Sequence, residues 1–97
     1  MRRSIVERTL RDVHTRLVRA RQELAILDEQ RVVLNDAADD ARLRSLVSET
    51  PVAAHEHADA QRHADAANRA RDDLVKRIHE LETRQDELLG QLVVDPT

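Results

Sequence analysis

A chain of 97 residues with no aromatic side chain and no cysteine excludes a large globular core, a disulfide framework, thiolate metal sites and a cysteine nucleophile. Charged residues make up 36% and hydrophobic residues 40%, with one glycine and a formal net charge of -3. This is the composition of long solvated helices, and its sign disfavours a phosphate-binding surface.

The first segment, Met1-Arg2-Arg3-Ser4-Ile5-Val6-Glu7, has no apolar run behind its arginines, so a signal peptide is not expected. No stretch approaches the roughly 18 consecutive apolar residues of a membrane span. A cytoplasmic location is the default expectation. Arginine, alanine and aspartate usage, with Lys76 as the one lysine, points to a high-GC bacterial genome.

Ser4 followed by Glu7 reads as a capping box, which predicts helix one over about 4–46. From there the apolar spacing alternates three and four, the pattern of a coiled coil. The seam reads Val6, Leu10, Val13, Leu17, Ala20, Leu24, Leu27, Arg31, Leu34, Ala38, Ala41 and Ser45. A turn is predicted at about 47–50. Thr50 can cap the next helix, Pro51 suits its first position, and the residue before proline disfavours helix. Helix two is predicted over about 51–93, with Gly90 loosening its last turn and Asp95-Pro96 as a stop. Its seam is Ala53, His57, Ala60, Ala64, Ala67, Arg71, Leu74, Ile78, Leu81, Gln85, Leu88 and Leu92.

The heptad phase slips between Ser45 and Ala53, so one continuous helix would lose its seam there. Folding about Glu49 instead pairs residues whose numbers sum to 98: Leu10 with Leu88, Leu17 with Leu81, Leu24 with Leu74, Leu34 with Ala64. Ala20 meets Ile78, small against large, and the seam turns to alanine towards the turn, with Ala38 on Ala60. The expected fold is therefore all-α, an antiparallel two-helix coiled-coil hairpin spanning 1–97 as a single unit. In this register Glu23 lies beside Arg77 and Arg21 beside Glu82. The seam arginines Arg31 and Arg71 fall in adjacent layers, where Asp28 and Asn68 can satisfy them while their stems pack.

Chemistry-bearing groups are sparse. His55, Asp59 and His63 share a helix face at a spacing able to hold a divalent metal, but a solvated polar face is the expected reading, as it is for His57 in the seam. No serine has a base and an orienting group beside it, and no glycine-rich loop is present to cradle phosphate. No catalytic residue, metal site or cofactor is expected, and the chain reads as a non-enzyme. Arg2, Arg3, Arg8, Arg11, Arg16 and Arg19 could track a nucleic-acid backbone. Glu7 and Asp12 interrupt them, however, and Asp65-Arg69, Asp72-Lys76 and Glu80-Arg84 are acid-first i,i+4 pairs. A salt-bridged surface is the expected reading, with a nucleic-acid accessory role as an alternative.

The hairpin plan is similar to that of small secreted WXG-type hairpins and of the hairpins that Gre-type factors push into RNA polymerase. The turn Ser48-Glu49-Thr50-Pro51 carries neither a Trp-x-Gly nor a cluster of acids, so only the architecture is shared.

Outside its seam, helix one carries Val18, Ala25, Ile26, Val32 and Val33 on its outer side, and Val75 on helix two extends the stripe in the same register. A recurring apolar stripe on a polar chain marks an interface. The expected function is a protein-protein interaction module, an adaptor or regulatory subunit. Its partner would be a second copy, closing a four-helix bundle, or a larger complex. Insertion of the hairpin tip into a large machine such as RNA polymerase or the ribosome is the other alternative.

Overall fold

The computed structural model describes residues 2–94. They form two helices, α1 (Arg2–Ser48) and α2 (Pro51–Val94), and no strand. The fold is all-α, an antiparallel two-helix hairpin, and it divides into two compact units. A terminal unit comprises Met1–Leu24 with Leu74–Thr97, and a turn unit comprises Ala25–Asp73.

The helix break has a local cause. Glu49 adopts φ 50°, the left-handed conformation that ends many helices, and its N–H donates to the Ser45 carbonyl at 3.1 Å. This is the single-bond αL cap, here with glutamate in place of the usual glycine. Thr50 then caps α2 as expected. Its hydroxyl oxygen accepts the Ala53 N–H at 3.1 Å, and Pro51 takes the first helical position, where no N–H is needed. The break thus occupies 49–50, and α1 runs on to Ser48.

The start of α1 differs from expectation. The helix begins at Arg2, so Ser4 already lies inside it and no capping box forms. Glu7 is taken instead by Arg3, Nε to Oε1 3.2 Å, an i,i+4 pair available only once the turn ahead of Ser4 is helical. At the other end, α2 passes through Gly90 to Val94. The Asp95-Pro96 stop lies outside the described residues.

Every residue of both predicted seams is buried or half-buried. In the terminal unit the core is aliphatic: Val6, Val13 and Leu88 are buried together, with Leu10, Leu81 and Leu92 against them. Leu17, Leu74 and Ile78 are also buried. Arg21 and Glu82 close across the helices at 3.0 Å, while Glu23 and Arg77 form no ion pair among the described residues.

The turn unit is built differently. Its buried hydrophobic residues are all alanine, namely Ala38, Ala41, Ala53, Ala64 and Ala67, with Leu27 and Leu34 half-buried. Between them lies a polar layer. Arg31 donates from Nε to Asn68 at 2.9 Å and from Nη1 to Asp28 at 3.0 Å. Arg71 donates from Nε to the same Asp28 oxygen at 3.1 Å. The expected roles of Asp28 and Asn68 are met, and Asn35 joins them. Its amide donates to the Arg31 carbonyl at 2.8 Å and pairs with the Asn68 amide across the helices at 3.2–3.3 Å. No buried side-chain polar atom lacks a partner among the described residues, which is the condition for a polar layer to be tolerated in so thin a core.

Candidate protein-binding surface

The heptad that puts seam residues inward also decides what lies outward. On α1 of the turn unit, Ile26 is 58% exposed, Val32 60% and Val33 67%, and Ala25 beside them is exposed. Val18 at 39% and Val75 at 37% belong to the terminal unit and are only marginally exposed, since each flanks the seam closely enough to be partly shielded. The turn unit therefore holds four of the six stripe residues, and they are the open ones.

A second apolar group escaped the sequence reading. Leu43, Leu46, Val47 and Val52 flank the turn and are between 61% and 85% exposed. A shallow groove runs between Leu43, Arg44, Val47 and Ser48. The signal was present: Leu46 and Val47 repeat the heptad positions of Val32 and Val33, with Asp39 and Asp40 interrupting the run.

Charge around the α1 stripe is one-sided. Between residues 25 and 40 the one base is Arg31, whose guanidinium is turned to Asn68 and Asp28. Glu29, Asp36, Asp39 and Asp40 are exposed, and their side chains make no ion pair or hydrogen bond with another described residue. Elsewhere Asp12 pairs with Arg16 at 3.2 Å, Glu82 with Arg21 and Glu87 with Arg84 at 3.3 Å, while Glu23, Glu56, Asp73, Glu80 and Asp86 form no ion pair among the described residues.

The remaining candidates resolve into surface pairs. Arg3 and Arg16 of the arginine run each engage a carboxylate, as does Arg21 beyond it. The acid-first pairs of α2 do not close, and Arg84 turns to Glu87 instead. Asp59 is bonded to Arg62 and lies 3.2 Å from His55 Nε2. Among the described residues no group of three His, Cys, Asp or Glu is placed to hold a metal ion. No described helix is long and apolar enough to cross a membrane. Comparison of the chain with protein families, curated proteins and solved structures returns no match.

Proposed function

We propose that this chain is a non-enzymatic protein-protein interaction module, an adaptor or regulatory subunit that presents a helix face to a protein partner in a bacterial cytoplasm. The observation that carries the reading is an inversion in the turn unit, where alanines are buried while Ile26, Val32 and Val33 face out. Burying a valine or isoleucine side chain is worth about 1.5–3 kcal/mol, and the hairpin leaves that gain unused. A second copy closing a four-helix bundle would cover the face, as would a component of a larger complex. No catalytic residue or cofactor enters this reading. The test is affinity capture from the native host with wild type and with Ile26→Asp/Val33→Asp. The double variant should keep its helicity and lose the partner; undiminished capture refutes the reading.

Leu43, Leu46, Val47 and Val52 favour a second reading, in which the turn itself is inserted into a large assembly such as a polymerase or ribosome. Val47→Asp/Val52→Asp should then abolish capture while Ile26→Asp/Val33→Asp leaves it intact.

A further inference from the structure

On the interaction reading above, which this inference deepens, the chemistry of the α1 face restricts its occupant. Ile26, Glu29, Val33, Asp36 and Asp40 follow one another by three and four residues, so they form one row along the helix. Ala25, Glu29, Val32, Asp36 and Asp39 form the adjoining row at the same spacing. Each row sets aliphatic side chains beside carboxylates, and all of these residues are exposed. The carboxylates have no cation of their own among the described residues. Asp36 and Asp40 stand at i,i+4 and Asp36 and Asp39 at i,i+3, where like charges oppose helix formation.

We infer that the face binds a basic amphipathic helix of another protein, with aliphatic residues at i, i+3, i+4 and i+7 flanked by arginine or lysine. Such a helix lays its apolar stripe on Ile26, Val32 and Val33 and brings cations to Glu29, Asp36, Asp39 and Asp40, which sets orientation and speeds encounter. A second copy fits less well. Face-to-face pairing sets carboxylate against carboxylate, and the arginine-rich part of α1 has Val6, Val13 and Leu17 committed to its own seam. Anionic lipid and nucleic acid are repelled by the same carboxylates.

The probe is a fluorescent synthetic helix with leucine at i, i+3, i+4 and i+7 flanked by arginine, titrated with the full chain and read by anisotropy. Its control has glutamate in place of every arginine. The arginine helix should bind, more weakly at high salt, and the glutamate helix should not. Ile26→Asp/Val33→Asp should remove binding, and Asp36→Asn/Asp40→Asn should weaken it about tenfold with unchanged circular dichroism. Equal binding of both helices, or arginine-helix binding that survives Ile26→Asp/Val33→Asp, overturns the inference. Light scattering separates the two levels. A dimer broken by Val33→Asp, without arginine-helix binding, sinks the basic-helix inference but keeps the interaction reading. A monomer that binds neither peptide, with host capture indifferent to Ile26→Asp/Val33→Asp, sinks both.

Discussion

Removing the Asp28 carboxylate tests whether the polar layer holds the turn unit together. In Asp28→Ala, Arg31 and Arg71 lose the one oxygen they share, at 3.0 and 3.1 Å. Two charge-assisted hydrogen bonds in a dry interior would contribute about 1.5–3 kcal/mol each. The side chains of Asp28, Arg31 and Arg71 are 42%, 28% and 36% exposed, so water screens much of this, leaving roughly 1–2 kcal/mol for the pair. Alanine's better helix propensity returns about 0.5 kcal/mol. The net expectation is a loss of about 1 kcal/mol, read from urea melts followed by circular dichroism. The coupling is then isolated by a double-mutant cycle with Arg71→Ala, for which an interaction energy of at least about 0.5 kcal/mol is expected. Asp28→Ala matching wild type, together with a coupling near zero, would show the layer to be solvent-screened decoration. Replacing the whole charged triad, Asp28→Leu/Arg31→Leu/Arg71→Leu, separates stability from specificity: an aliphatic layer should leave stability equal or higher.

Glu49→Gly should raise stability by about 0.5–1 kcal/mol, since the left-handed conformation costs a side-chain-bearing residue roughly 1–2 kcal/mol and glycine returns part of that as unfolded-state entropy; a destabilised variant would show that the side chain matters to the turn. Gly90→Ala should stabilise α2 by about 1 kcal/mol, because a Cβ there meets nothing within 4 Å; a lowered melting temperature refutes that packing. Cysteines replacing Ala38 and Ala60 should oxidise within one chain at high dilution if the two share a layer. Purely intermolecular crosslinks would contradict the 98 register.

The seams and the break were legible in the sequence, because each follows from local chemistry. Alternation of three and four assigns an inward side whatever the partner is, and Thr50-Pro51 interrupts helix through one hydroxyl and one missing N–H. Arg31 and Arg71 were legible for the same reason, since their heptad positions left them nowhere but the seam. The start of α1 was not, because Ser4 and Glu7 could form either a capping box or a turn of continuing helix, and the Arg3–Glu7 pair accompanies the second. Asn35 was missed because its role depends on Asn68, 33 residues away, and a flanking position carries no hydrophobic signature.

The candidate surface divides in the same way. Periodicity alone placed Ile26, Val32 and Val33 off the seam, while tertiary packing decided how open each apolar flank would be. Val18 and Val75 are partly shielded, and Leu43, Leu46, Val47 and Val52 stand clear. Sequence spacing determines the direction in which a side chain leaves its helix. How much water reaches it depends on the neighbouring helix and on where that helix ends, which only the folded chain specifies.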